Sequence, residues 1–244
     1  MENFIYKLKN RYYNSDMTRH KYFAFTLAET LITIGVIGVV SALTIPTLIS
    51  NYRKHVVETR LEKFYSEINQ AIKISEVENG DILQWDSWRN IYENPKKPTY
   101  EENLGYMQKY IIPYIKTLSV EKCKTKSSSV CITLTNGSMF SFDSDDLTFY
   151  PNKKLESEPK EQYLGKNCFE FILAPNDIHY PNANSKGIEP YVGSWNGNYN
   201  VLFSHSVYAC TSGKNVCSSN TNRYCTKIIQ MNGWKIPKEY PIKF

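Results

Sequence analysis

Between residues 30 and 52 the chain carries no formal charge, and Val, Ile and Leu dominate that run. About 20 helical residues, at 1.5 Å of rise each, cross the hydrocarbon core of a bilayer. Residues 30–50 are therefore long enough to span one. Glu29 stands at the head of the run. A charge deep in a transmembrane helix costs roughly 2.5–3.5 kcal/mol on insertion scales, and less near the interface. A carboxylate there needs a reason.

The flanks narrow the choice. Residues 1–24 hold Lys7, Lys9, Arg11, Arg19 and Lys21 against Glu2 and Asp16, a net of +3 out of the chain's formal +5. The remaining +2 falls in residues 25–244, so charge does not indicate a nucleic-acid surface. A basic leader favours a cytoplasmic N-terminus. Arg53, Lys54, Arg60 and Lys63 follow the run, mixed with Glu58, Glu62 and Glu67, so that asymmetry is modest. A secretory signal peptide needs a short apolar stretch and a small-residue cut site after it. Ser41 and Ala42 mimic part of such a site, but apolar residues continue to Ile49. An ordinary signal anchor explains the hydropathy and gives Glu29 no role.

The order of residues supplies one. The string Ala24-Phe25-Thr26-Leu27-Ala28-Glu29 follows the basic leader and precedes the apolar run. It resembles the N-terminal signal of type IV pilins and of the pseudopilins of type II secretion systems. The resemblance implies that a membrane-bound prepilin peptidase cuts between Ala24 and Phe25 on the cytoplasmic side. The new amine is commonly methylated in that family. Ala24 replaces the family's usual Gly, and Ala28 stands where many members carry a larger apolar residue. Met17 would serve as an alternative start, leaving residues 17–24 as a compact basic leader. Glu29 matches the family's acidic position, and Gly38 and Pro46 fall where many members interrupt the helix. Both residue types weaken helices, Pro by losing a donor and clashing with the preceding turn.

In that family the carboxylate pairs with the amine of a neighbouring subunit in a bundle of apolar helices. Carried over, Glu29 and Phe25 are the pairing groups. An unpaired carboxylate is costly where water is scarce, so pairing would set the axial register between subunits. The implied fold class is α+β and pilin-like. A long N-terminal helix, membrane-spanning in its first half, packs on an antiparallel sheet with a disulfide-stabilised C-terminal region. The implied organisation is a leader over 1–24, a helix over 25–78 and an extracytoplasmic domain over 79–244. The implied location is the bacterial inner membrane and then a pilus or pseudopilus. Implied partners are the prepilin peptidase, an inner-membrane assembly platform and other pilin or pseudopilin subunits.

Beyond the run, Val57, Leu61, Phe64, Ile68 and Ile72 recur at three- and four-residue steps, the stripe of an amphipathic helix. Asn79-Gly80-Asp81 is its expected stop. Residues 86–98 read as irregular. Tyr106, Tyr110, Ile111, Tyr114 and Ile115 suggest a short helix interrupted near Pro113. Residues 130–134 and 139–142 around Asn136-Gly137 form a strong hairpin signal. Residues 168–173 are a strand candidate, 174–200 a long loop, and 201–203, 206–208 and 227–229 short strands.

Six cysteines, Cys123, Cys131, Cys168, Cys210, Cys217 and Cys225, all lie after residue 120. An even count beyond a membrane segment suggests disulfides in an oxidising compartment. Cys123 and Cys131 are placed to close a short loop. Cys210, Cys217 and Cys225 fit the Cys-rich C-terminal region of many pilins, with Cys168 a fourth partner. Six cysteines allow 15 connectivities, and spacing alone does not choose. No C-x-x-C pair is present, which argues against a zinc ribbon.

Catalytic motifs are thin. His20 lies in the leader and His55 follows the apolar run, leaving His179 and His205. There is no G-x-S-x-G elbow, phosphate loop or dinucleotide fingerprint. No enzymatic activity and no cofactor are expected. Asp143, Ser144, Asp145 and Asp146 could offer calcium ligands, as in some pseudopilins, but EF-hand spacing is absent and a solvated turn is the plainer reading. The expected role is a structural subunit of a pseudopilus or pilus. The alternatives are a membrane-anchored extracytoplasmic binding protein or hydrolase, and a pilin for DNA uptake whose tyrosines would stack on bases.

Overall fold

A computed structural model of the chain describes residues 25–85, 97–157, 163–173, 175, 186–193, 195–204, 206–213, 217 and 220–244. The leader 1–24, with Ala24, lies outside the described residues, as do most of the irregular stretch 86–98, His179 and His205. The chain divides into a first unit ending at Thr47 and a second, Leu48–Phe244.

Helix α1, Leu27–Asn79, contributes to both units. In the first unit its apolar side chains are exposed, including Leu31, Ile34, Val36, Val40 and Leu43. Three of its threonine hydroxyls turn back onto the helix. Thr30 Oγ1 donates to Leu27 O at 2.8 Å, Thr33 Oγ1 to Thr30 O at 2.9 Å and Thr44 Oγ1 to Val40 O at 2.9 Å. Such back-bonding satisfies these three hydroxyl donors within the helix itself. The helix runs through Gly38 and Pro46 without a break.

In the second unit α1 becomes one-sided. Val57, Leu61, Phe64, Ile68 and Ile72 are all buried, the stripe expected from their spacing. Gly80, at φ +77°, ends the helix in the left-handed conformation that glycine adopts without penalty. Helix α2, Tyr100–Tyr110, starts from a capping box of Thr99 and Glu102. A 3₁₀ turn over Ile112–Tyr114 follows, around Pro113.

The buried stripe packs on six strands, β1 Thr117–Lys122, β2 Val130–Leu134, β3 Met139–Asp143, β4 Asp146–Tyr150, β5 Phe169–Ile172 and β6 Glu189–Pro190. They form one antiparallel meander in chain order. Strand alternation sends Phe140, Phe142, Leu147, Phe149, Phe169 and Phe171 into the main core with α1. Phe64 is the joint, with ring centroids 4.4 Å from Phe149, 5.2 Å from Phe171 and 5.3 Å from Phe140. The alternate residues Cys131, Met139, Tyr150 and Cys168 join Cys123, Leu164 and Cys217 in a second, smaller cluster.

Three disulfides fasten this unit, Cys123–Cys131, Cys168–Cys217 and Cys210–Cys225. The expected short loop closes at Cys131, and Cys168 is the partner of Cys217.

Three of the expected short strands are different structures. Residues 201–203 belong to a 3₁₀ turn, Tyr199–Leu202, and its end. Residues 206–208 are turn. Residues 227–229 lie in helix α3, Cys225–Met231. Its buried Cys225, Ile228 and Ile229 stand at helical spacing, which the β-branched pair alone concealed. Strands β1, β4 and β6 go beyond the expected ones: β4 alternates buried Leu147 and Phe149 with Asp146 and Thr148, and β6 lies inside the expected loop 174–200.

The C-terminal tail returns along α1. Ile236 N donates to Glu58 Oε1 at 2.9 Å, and Ser50 Oγ donates to Phe244 O at 2.8 Å. As the tail advances from 236 to 244 its partner on α1 recedes from 58 to 50, so the two run antiparallel. Trp234 lies against Tyr65 at 4.9 Å between centroids, and the Tyr240 hydroxyl, buried, donates to Gly165 O at 2.5 Å.

Candidate functional site

The N-terminus of α1 is built by two side chains. Thr26 precedes the helix, and its Oγ1 accepts from Glu29 N at 3.2 Å. The Glu29 carboxylate reaches back, its Oε2 accepting from Thr26 N at 2.8 Å and Thr26 Oγ1 at 2.9 Å. This is a capping box, T-x-x-E, satisfying donors that a helix start leaves unpaired. The box at Thr99 and Glu102 repeats it, with contacts of 2.7 and 3.3 Å. Glu29 therefore has a local structural job, and Thr26 is its capping partner, which the resemblance did not single out. The spacing of the box was in the sequence all along.

The box does not exhaust Glu29. Both contacts fall on Oε2, whereas a carboxylate offers about four lone-pair sites. Glu29 is exposed, and Phe25, one residue before the cap, is exposed as well. After the cap comes the apolar wall, long and apolar enough to cross a membrane. Cβ atoms added at Gly35 or Gly38 would meet nothing within 4 Å, so neither glycine is demanded by contacts inside this chain. Gly38 and Pro46 sit on that wall, within a continuous helix.

The acidic turn takes a different form from the solvated one expected. Asp143 and Asp146 pair across a two-residue turn in which Ser144 adopts φ +64°. Asp145 is buried. Asp143 accepts from Asn103 Nδ2 at 3.1 Å and forms an ion pair with Lys126. Asp146 pairs with Arg223 at 3.2 Å. Cations of the chain itself thus occupy Asp143 and Asp146. Glu170, buried on β5, also pairs with Arg223, whose guanidinium stacks over Tyr191 at 3.7 Å. Burial pushes the Glu170 carboxyl up to about 7, against the opposing pull of Arg223.

Among the described residues, Cys123, Cys131 and Glu156 lie at metal-binding distances. Both sulfurs are committed to a disulfide, and a metal needs thiolates. Glu156 Oε1 is engaged by Lys124 N at 2.8 Å, Thr125 N at 2.9 Å and Thr125 Oγ1 at 2.9 Å. These residues clamp a loop. His55 is largely exposed, 4.0 Å from Glu58.

No curated protein and no solved structure matches the chain. A protein-family profile, described as a family of unknown function, covers residues 47–244, beginning beside the boundary between the two units. The match takes in well over half of the chain, which thereby belongs to that family, DUF6613.

Proposed function

We propose that the chain is a prepilin-like structural subunit, cleaved between Ala24 and Phe25. It assembles into a type II secretion pseudopilus or a type IV pilus through its apolar N-terminal helix. The observation that carries this reading is the Thr26–Glu29 box at the head of a continuous helix with exposed apolar residues. The cap fixes the carboxylate one turn into the helix while leaving it lone pairs.

Cleavage puts a positive amine on Phe25. In a bundle of apolar helices, with water scarce, the Glu29 carboxylate of one subunit meets the amine of another. The open space over Gly35 and Gly38 supports close approach of a neighbouring helix. Pro46 deprives the carbonyl one turn earlier of its donor, making that stretch the easiest to loosen when subunits pack. A stem that buries one stripe against a sheet leaves the earlier half for lipid or for the filament axis. The prepilin peptidase, the inner-membrane assembly platform and other subunits are the partners this reading requires.

Glu29 has two roles, capping and charge, and they separate by substitution. Glu29→Gln keeps a residue able to complete the box and removes the charge. Thr26→Val removes the cap and keeps the charge. The proposal expects all Glu29 variants to be cleaved, Glu29→Gln and Glu29→Ala to be excluded from filaments, and Thr26→Val to assemble with reduced yield. Immunoblots of sheared or purified filaments against membrane fractions read the outcome. Normal incorporation of Glu29→Gln would remove the charge-pairing role.

A further inference from the structure

We propose that the C-terminal tail and the adjoining turns of α1 form a basic collar that binds anionic phospholipid headgroups where the helix leaves the membrane. The inference rests on residues 30–50 spanning that membrane, and it assigns a lipid partner to residues outside the span.

Chain connectivity locates the collar. Ser50 follows the apolar run directly, and it holds the tail through Phe244 O at 2.8 Å. Glu58 holds the same tail two turns further on, through Ile236 N at 2.9 Å. Ser50, Lys54 and Glu58 stand at four-residue steps and so share one face of α1. The tail lies along that face for about 12 Å, at 1.5 Å of rise per residue. It is tied down at both ends, so its position relative to the end of the span is fixed within the second unit.

Charge concentrates there. Lys54 is half-buried between the two ties, and Arg53 beside it is exposed, as are Lys238 and Lys243 on the tail. Against these four cations stands Glu239, which accepts from the Tyr199 hydroxyl at 3.4 Å. Lys235 is set aside because it pairs with Glu58 at 3.5 Å. Counted over side chains alone, the collar carries +3, while the side chains of residues 25–244 together carry +2. Everything else in that stretch sums to −1.

A solvated, mixed-charge face would not segregate in this way. Cations just beyond a span on its translocated side also work against the bias that sets topology. Their presence beside the span calls for a compensating interaction. Tyr52, 69% exposed at the end of the run, is the kind of side chain that settles at headgroup depth. Each Lys or Arg near an anionic membrane surface strengthens binding by about fivefold, over roughly a Debye length. The phosphate of an anionic lipid fits both the charge and the position.

The test uses the full-length protein in lipid nanodiscs of phosphatidylcholine alone, or of phosphatidylcholine and phosphatidylglycerol in equal parts. Amide hydrogen exchange is followed over residues 30–50, over the tail from 238 to 244, and over β3 and β4 as a report of folding. The expected result is exchange of the tail slowed at least about tenfold by phosphatidylglycerol. That slowing is lost at high salt and in the combined Arg53→Gln, Lys54→Gln, Lys243→Gln variant. The salt and lipid arms use the unaltered protein, so the test survives a variant that fails to fold. Equal tail exchange in both lipids, with residues 30–50 protected, overturns the collar and leaves the span standing. Residues 30–50 unprotected in both lipids overturn the span and the collar together. Equal slowing by inorganic phosphate in phosphatidylcholine discs would mark a free-anion site and also overturn the proposal.

Discussion

Phe64 joins helix to sheet through its ring. It is fully buried and its ring meets three phenylalanines on three successive strands, Phe140, Phe149 and Phe171. Truncating a buried Phe to Ala typically costs about 3–5 kcal/mol. Phe64→Ala is expected at that level, seen as a lowered urea midpoint in detergent-solubilised protein. Glu170 gives a pH signature. Its folded pKa, about 7, lies above the ordinary carboxyl value of 4.5. Between those values the unfolded chain releases a proton that the folded one retains. Stability from this group is therefore full below about 4.5 and declines as pH rises to about 7. Glu170→Gln should flatten that part of the stability profile, measured by urea unfolding at stepped pH. Unchanged pH dependence in the variant would show that Glu170 does not titrate there. This pair was not foreseeable from the sequence, because Glu170 and Arg223 meet only once β5 and the turn before α3 are in place. The opposite holds for Thr26, whose box with Glu29 is a spacing legible in the primary structure.

Among the elements, three with a local rule are legible in the sequence, whereas the helix expected around residues 106–115 lies at Tyr100–Tyr110, set by its capping box. The stripe on α1, the stop at Gly80 and the β2–β3 hairpin around Asn136-Gly137 all follow from periodicity or from turn chemistry. Helix α3 replaces the strand expected at residues 227–229 because Ile228 and Ile229 favour strands locally while the helix is set by its tertiary packing. The cysteine connectivity could not be read from spacing, since it depends on the two faces of the sheet. Cys131 and Cys168 point to the face away from Phe64, and Cys225 lies in the main core. The loops closed differ in length, with separations of 8, 15 and 49 residues. A chain-entropy argument makes the longest worth about 4 kcal/mol and the shortest about 2.5 kcal/mol. Paired Cys168→Ser and Cys217→Ser substitution should therefore destabilise more than paired Cys123→Ser and Cys131→Ser, measured by urea unfolding under non-reducing conditions. The reverse order would show that local clamping by Glu156 outweighs loop length.

For the molecule as a whole, one helix serves two environments. Its first part exposes apolar residues and folds the hydroxyls of Thr30, Thr33 and Thr44 back on its own carbonyls. Its second part buries one stripe against the sheet. The division is legible in the change from an uncharged run, which ends at Tyr52, to a one-sided pattern whose first buried residue is Val57. The tail contacts at Ser50 and Glu58 were not visible, because they join residues nearly 200 positions apart (194 and 178) by single hydrogen bonds. The central claim is maturation at the head of this helix, and intact-mass analysis tests it most directly. Protein is extracted from membranes of cells whose prepilin peptidase is active, and its N-terminal peptide is sequenced. The account predicts a chain beginning at Phe25, with or without a methyl group on its amine. A chain in which Ala24 and Phe25 are still joined would contradict it.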